Sequence, residues 1–221
     1  MLGQLAVFGM TVTDIYMAGQ VSTETLAALQ LGGSIWAMIN LLVIGIMIAN
    51  SPIIGNFWGA GEEHRVRFQF QQAIWLALPL GAVVCGAILL GILMLGYLDI
   101  SAEVYGIARG YLLPYLITGF MFPAFFAFRS TFEGMGDIRP VMIFNCLAFL
   151  LNAVLDYIFV FGKLGMPALG GVGAAWATTL VMTFLLLAMA AYGYYAQNMR
   201  RLQLYQQFAG PSVAAIGEIL R

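Results

Sequence analysis

Charged residues are scarce in this sequence: its 221 positions contain only nine Lys and Arg and ten Asp and Glu. They make up 9% of the chain while 62% is hydrophobic, whereas roughly a quarter of the residues in soluble domains are charged. This shortage excludes an ordinary soluble domain and indicates an integral membrane protein. The net charge of −1 and the lack of a Lys/Arg-rich stretch argue against a nucleic-acid partner.

Residues that bind transition metals are scarce as well. The two cysteines, Cys85 and Cys146, lie in apolar segments without metal-binding spacing, so we interpret them as packing thiols. The single histidine, His64, lies among charged residues, which argues against a zinc centre. We therefore expect no cofactor. The N-terminal residues also lack the positive segment and the small-residue cleavage site of a signal peptide.

Long apolar segments dominate what is present. A helix needs about 20 apolar residues to cross the hydrocarbon core, and these segments are too long and too uniform for barrel strands. The predicted fold class is an all-α integral membrane protein, a bundle of six transmembrane helices. The predicted helices are 1–18, 26–55, 69–97, 105–131, 140–161 and 172–198.

The positions of the basic residues predict the orientation. Those after the even-numbered spans are Arg65, Arg67, Arg129, Arg139, Arg200 and Arg201. The loops on the other side contain one basic residue, Lys163. Because basic loops stay in the cytoplasm, the N-terminus is predicted to be cytoplasmic. We expect residues 1–199 to form the six-helix transmembrane lobe and residues 200–221 to form a polar cytoplasmic connector.

Proline is expected to shape several of these helices. Pro52, Pro79, Pro114 and Pro123 fall inside predicted spans, where each removes a backbone hydrogen bond and tends to kink the helix. Pro140 instead lies where the fifth helix begins, a position that proline favours.

Two carboxylates lie deep in apolar sequence. Asp14 is the only charged residue of the first span, and Asp156 is the only one between Arg139 and Lys163. Each precedes the glycine that ends its helix by five or six residues, which places both about 8–9 Å below the outer helix ends. Asn152 lies four residues before Asp156 and therefore on the same helix face.

These three side chains are the candidate site. A carboxylate inside a membrane is costly and usually faces a cavity, a partner or an ion. Carboxylate and amide oxygens bind hard cations, and an acid can also hold a proton. We predict that Asp14, Asn152 and Asp156 bind Na⁺ or H⁺. The alternative is that Asp14 lies at the membrane interface and that a local partner caps Asp156.

One motif pair points to a different class of protein. Gly134-Met-Gly136-Asp137 and Pro167-Ala-Leu169 match two of the three short motifs of GxGD intramembrane aspartyl proteases. That chemistry needs two aspartates a hydrogen bond apart, and the companion Tyr-Asp pair is absent. Asp137 is also predicted to lie on the cytoplasmic rim, opposite the Pro-Ala-Leu loop. This enzyme is therefore a weak alternative.

A larger set of motifs runs through the chain: Asp14–Gln20, Leu26–Leu29, Pro52–Gly55, Gly59–Glu62, Phe132–Asp137, Arg139-Pro140, Asn152–Tyr157 and Gly162–Trp176. Together these segments resemble the multidrug and toxic compound extrusion (MATE) transporters, in the NorM-like bacterial branch of that family. The segments follow one another in family order with natural spacing and cover nearly the whole chain.

The resemblance implies a multi-pass protein of the cell inner membrane with twelve helices in two six-helix lobes around a cavity. Such proteins export amphipathic, mostly cationic drugs in exchange for H⁺ or Na⁺. The aspartate of the family's first helix maps onto Asp14. The Asn-x-x-x-Asp pair of its fifth helix maps onto Asn152 and Asp156, in the cation site of the N-terminal lobe.

The chain also departs from the full family pattern. Only the N-terminal lobe is matched, the first helix lacks about half of its length, and residues 210–221 resemble the connector to a seventh helix. We therefore expect a fragment whose partners are membrane lipid, cationic substrates and a missing C-terminal lobe or second half-chain. Two alternatives stay open: a related flippase for lipid-linked oligosaccharides, which requires a more cationic cavity, and an inactive fragment or scaffold.

Overall fold

The computed structural model describes residues 2–206 and 208–220, and these residues form helices connected by short turns, without strands. The helices are α1 (Leu2–Gly19), α2 (Thr23–Ile48), α3 (Asn50–Gly59), α4 (Glu63–Leu95), α5 (Ala102–Leu112), α6 (Tyr115–Gly134), α7 (Arg139–Phe161), α8 (Gly171–Tyr195), α9 (Gln197–Arg200) and α10 (Val213–Ile219).

The predicted fold class is confirmed. Five segments of the described chain are long and apolar enough to cross a membrane: Thr23–Gly59, Glu63–Leu95, Ala102–Gly134, Arg139–Phe161 and Gly171–Tyr195. The shorter α1, of 18 residues, packs along α7 and completes the bundle. The chain is a multi-pass membrane protein.

Two predicted helices are interrupted, which corrects their boundaries. The predicted helix 26–55 consists of α2 and α3, separated at Ala49, and the predicted helix 105–131 consists of α5 and α6, separated before Tyr115. Proline causes both interruptions because it lacks an N–H and its ring clashes with the carbonyl four residues earlier. For Pro52 that carbonyl belongs to Ile48, the last residue of α2.

Other boundaries differ by a few residues. The helix predicted at 69–97 begins earlier, at Glu63, and the helix predicted at 172–198 ends at Tyr195. Pro79 and Pro123 lie inside helices that continue without interruption. Proline therefore coincides with an interruption in two spans and lies inside a continuous helix in two others.

The ends of α7 are sharply defined, which holds its site residues at a fixed height. Pro140 lies in the first turn, as predicted. The helix stops at Gly162, whose backbone is left-handed (φ 66°, ψ 47°), a conformation that glycine adopts without strain. A Cβ atom at Gly162 would also lie 2.5 Å from the backbone nitrogen of Ala168.

Close packing positions α7 between two neighbours. Both α1 and α8 pack along it. Gly173 of α8 lies so close to α7 that an added Cβ would be 2.6 Å from the backbone of Phe159. In a membrane, tight contact at small residues supplies the helix association that apolar burial supplies in water. The outer half of α7 is therefore held by both helices.

The segment after α8 is attached to the bundle although its composition is polar. Leu202, Leu204 and Ile219 are buried, at 3%, 1% and 1% exposure. Two buried glutamines of α4, Gln71 and Gln72, bind the backbone of residues 204–206 and 208–212, which we call the strap.

The strap is bound by backbone recognition. The Gln71 amide donates to the carbonyls of Leu204 (3.1 Å) and Gln206 (3.0 Å) and accepts from the Ala209 N–H (2.9 Å). Gln72 donates to the carbonyl of Gly210 (3.1 Å) and accepts from the Ser212 N–H (2.6 Å). Because the nitrogen and the oxygen of each amide have a hydrogen-bond partner, burying them carries little penalty. The connector predicted at 200–221 thus starts along α4.

Candidate cation site

The structure brings the three predicted site residues together. Because α1 packs along α7, the carboxyl of Asp14 lies close enough to interact with the side chains of both Asn152 and Asp156. Asp156 is fully buried and Asn152 is 1% exposed, while Asp14 is partly buried. Two acids and an amide therefore share one small volume of the bundle.

Four of the five side-chain oxygen atoms of this group have no hydrogen-bond donor in the described part of the chain. Among the described residues, none donates a hydrogen bond to Asp14 Oδ1, Asn152 Oδ1 or either carboxylate oxygen of Asp156. A buried acceptor without a partner costs about 1–3 kcal/mol, and more when it is charged. Asp14 and Asp156 cannot pair with each other as two carboxylates, because neither has a proton to donate. A proton or a cation between them removes the penalty.

The oxygen atoms that would bind an ion at this site favour particular ions. Carboxylate and amide oxygens are hard ligands, which suit H⁺ and Na⁺ and do not favour soft metals. The described residues contain no group of three or more His, Cys, Asp and Glu side chains that could hold a metal ion. Two ionised carboxylates carry a charge of −2, so one bound H⁺ or Na⁺ halves the negative charge that is buried here.

A pair of tyrosines lies beside the acids, and the sequence analysis did not identify it. The hydroxyls of Tyr111 and Tyr115 are 3.0 Å apart in the core, near enough to Asp14 to interact with its charge. The ring of Trp36 stacks on Tyr115, with 4.4 Å between the centroids. The available signal was two tyrosines four residues apart on either side of Pro114, inside an otherwise apolar span.

A cavity of about 540 Å³ opens next to this group, within the range of about 300–1,000 Å³ that is usual for small-molecule sites. Asp14 and Asn152 line it, whereas Asp156 lies behind them and does not. Its aromatic wall consists of Trp36, Tyr111, Tyr115, Phe122, Phe125 and Phe126. The cavity is therefore mainly apolar, with an acid at one end.

The other end of the cavity contains an ion pair. Arg129 Nε is 2.8 Å from Glu133 Oε1, four residues later on α6, and both side chains line the cavity. The guanidinium also lies over the ring of Phe126, 5.1 Å from its centroid. The positive charge of Arg129 is thus balanced locally.

The geometry does not support an aspartyl protease. Asp137 lies between α6 and α7 and accepts a hydrogen bond of 2.8 Å from the Tyr192 hydroxyl. Asp156 lies 17 residues (156 − 139) beyond the start of α7 at Arg139, about 25 Å along the helix axis. Asp14 is beside Asp156, so neither can share a catalytic water with Asp137.

The fold and the site together describe a multi-pass helical membrane protein with a buried acidic pair beside an apolar cavity. The sequence model of the MatE family matches residues 1–158 of the chain. The chain belongs to the MatE family.

Curated and solved relatives agree with this assignment. The multidrug resistance protein NorM of Vibrio vulnificus (strain YJ016) is 34% identical over 218 residues, which cover 97% of this chain and 47% of that protein. A crystal structure of MATE in complex with MaL6 superimposes with a TM-score of 0.87 at 25% identity, over 100% of this chain and 48% of the other.

A third similar protein is a solved structure, the inward-facing conformation of a multidrug resistance MATE family transporter of the MOP superfamily. Its TM-score is 0.82 at 27% identity, over 100% of this chain and 48% of the other. The chain thus spans about half the length of the relatives that it matches. These relatives are transporters and not enzymes, which removes the remaining support for a protease.

Proposed function

We propose that the chain forms the N-terminal half of a multidrug efflux transporter, in which Asp14, Asn152 and Asp156 bind the coupling cation. The observation that carries this proposal is a group of unpaired, buried oxygen atoms at the wall of a cavity of drug size. The names of the NorM and MATE relatives support multidrug efflux as the activity.

The coupling ion is H⁺ or Na⁺. A proton on either carboxyl provides the donor that the Asp14–Asp156 pair lacks, and Na⁺ provides a positive centre for the same oxygens. Either ion lowers the cost of burying two negative charges at close range. Ion binding therefore favours the arrangement in which α1 lies against α7.

Exchange follows from the position of Asp14. This carboxyl interacts with Asp156 on one side and lines the cavity on the other. A cation in the cavity competes with the coupling ion for the negative charge of Asp14. The two cations then bind in alternation, which is the basis of antiport.

The lining of the cavity supports a proposal for the substrate. An aromatic wall with an acid at its end suits amphipathic cations, since aromatic faces attract positive charge. We propose that a second lobe, in the same chain or another, closes the cavity, while lipid covers the remaining surface. We propose a cytoplasmic N-terminus, which the basic residues after the even-numbered spans support.

Ion displacement by a lipophilic cation tests this function. The chain in lipid nanodiscs is titrated with tetraphenylphosphonium in weak buffer containing a pH-indicator dye, with NaCl or choline chloride at equal ionic strength. We expect the ligand to release protons, or to bind more weakly in NaCl. Asp156→Asn removes the ionisable group and abolishes the effect.

The matched control is Asp99→Asn, an exposed acid in the turn after α4, which leaves the effect unchanged. If Asp156→Asn displaces as many ions as the unsubstituted chain, Asp156 is not the coupling group. Binding of the ligand without any ion displacement favours the inactive scaffold instead.

The cavity offers little to a lipid-linked oligosaccharide. Such a substrate carries phosphate, for which cationic side chains are the usual ligands. Among the cavity-lining residues that the structure describes, Arg129 is the one cationic side chain, and Glu133 already balances it. The flippase alternative therefore gains no support from the lining.

A further inference from the structure

The ion pair at the far end of the cavity, Arg129 with Glu133, does not link two helices of the bundle. Arg129 and Glu133 belong to the same helix, so their 2.8 Å contact connects no two helices of the bundle. Their side chains are 19% and 30% exposed, and ion pairs that are partly solvated within one helix contribute little to stability, about 0.3–0.5 kcal/mol. Stability alone does not explain two charges in the wall of an apolar cavity.

The pair continues an aromatic stripe. Phe122, Phe126, Arg129 and Glu133 all line the cavity at helical spacing on α6. From Phe122 to Glu133 the stripe is about 16 Å long, since each of the 11 intervening steps (133 − 122) rises 1.5 Å. A ligand on this stripe passes from aromatic faces to a carboxylate.

Arg129 itself makes the contacts of a bound cation. Its guanidinium lies over the Phe126 ring at 5.1 Å and pairs with the Glu133 carboxylate at 2.8 Å. An aromatic face and a carboxylate are the two partners that a lipophilic cation needs.

We propose that Glu133 and Phe126 form a second cation-binding subsite, which Arg129 occupies when no ligand is bound. A lipophilic monocation with delocalised charge displaces the guanidinium and places its aromatic groups on the stripe of α6. The inference deepens the proposed function by assigning substrate binding to the end of the cavity opposite Asp14. It depends on substrate binding and not on the coupling ion.

Two substitutions with opposite expected effects on the binding affinity test this competition. Tetraphenylphosphonium binding to the chain in nanodiscs is measured by equilibrium dialysis at constant pH and salt. Glu133→Gln removes the carboxylate and weakens binding about fivefold, while Arg129→Gln removes the internal competitor and tightens it by a similar factor. The double variant binds like the unsubstituted chain or more weakly, because it has neither carboxylate nor competitor.

A matched control lies elsewhere in the chain. Arg65 also pairs with an acid of its own segment, Glu62 at 3.2 Å, and lies over an aromatic ring, Phe57 at 5.5 Å, but does not line this cavity. Arg65→Gln leaves the affinity unchanged. Circular dichroism melting of each variant identifies any loss of fold, and Glu133→Asp provides a second variant that keeps the charge and restores most of the binding.

Two outcomes overturn the subsite: Arg129→Gln and Glu133→Gln weaken binding equally, as a merely structural pair predicts, or the unsubstituted chain binds no tetraphenylphosphonium. Failure of the coupling site is seen separately, as unchanged ion displacement in Asp156→Asn. The subsite is supported if Glu133→Gln weakens tetraphenylphosphonium binding and Arg129→Gln tightens it. If Asp156→Asn leaves ion displacement unchanged in the same experiments, the proposed coupling site is rejected.

Discussion

Asn152 and Asp156 lie one helical turn apart on the buried face of α7, and the side chain of each interacts with the carboxyl of Asp14 on α1. Since none of the described residues donates to the Asp156 oxygens, the stability of this region depends on what else neutralises them. We therefore expect the interface between α1 and α7 to be sensitive to ions.

The first prediction concerns stabilisation by the coupling ion. An ion that binds only the folded state stabilises it by RT ln(1 + [ion]/Kd), about 2.7 kcal/mol at 100 times Kd. We expect the melting temperature of the chain in detergent to rise with NaCl relative to choline chloride, or with decreasing pH, depending on the ion. Asp156→Asn removes this rise, and Asp99→Asn retains it. An equal rise in Asp156→Asn would show that the ion binds elsewhere.

The second prediction concerns ligand detection inside the cavity. Trp36 lines the cavity and stacks on Tyr115, whereas Trp176 is 40% exposed and does not line it. Tetraphenylphosphonium should change tryptophan fluorescence through Trp36. We expect Trp36→Phe to lose this change and Trp176→Phe to keep it, measured by titration in nanodiscs. The reverse pattern would place the ligand outside the cavity.

The third prediction concerns the strap. Gln72→Leu leaves the Gly210 carbonyl and the Ser212 N–H without their partner, which should destabilise the chain by about 1–3 kcal/mol. Hydrogen exchange at Ser212 and limited proteolysis within residues 204–212 should both become faster. Gln20→Leu is the control, because this glutamine is exposed. Unchanged exchange at Ser212 would show that the strap stays in place without the amide.

The fourth prediction concerns packing next to the site. Gly173→Ala places a Cβ atom 2.6 Å from the Phe159 backbone, so α8 must move away from α7. Overpacking of this kind typically costs about 1–3 kcal/mol. Gly86→Ala is the matched control, since an added Cβ there meets nothing within 4 Å. Urea or thermal unfolding in detergent should show a loss for Gly173→Ala and no loss for Gly86→Ala.

The local sequence was sufficient to predict helices rather than strands, and to predict that Asn152 and Asp156 lie on the same helix face. Helix type follows from apolar segments of spanning length, and residues four apart lie on one helix face wherever the helix is placed. The interruptions near Pro52 and Pro114 were not predictable, because Pro79 and Pro123 have the same local chemistry and do not interrupt their helices. Neighbouring helices decide how each proline is accommodated.

Residues distant in sequence were less predictable. Gln71 and Gln72 appear in the sequence as two ordinary polar residues near a helix start, yet they bind backbone more than 130 positions away. Arg129 and Glu133 appear as a local ion pair at a helix end, without any sign that they line a cavity. The family resemblance identified the acids but not the strap, the tyrosine pair or the ion pair.

By itself the sequence determined that the chain crosses a membrane in apolar helices, and it predicted the depth at which Asp14 and Asp156 lie. These properties depend on the length of apolar segments and on the constant rise of a helix. Only the tertiary structure decided which faces meet: that Asp14 approaches Asp156, that Arg129 borders the cavity and that the strap lies on α4. The reason is that helix rotation and tilt are set by packing between distant segments, which no local pattern encodes.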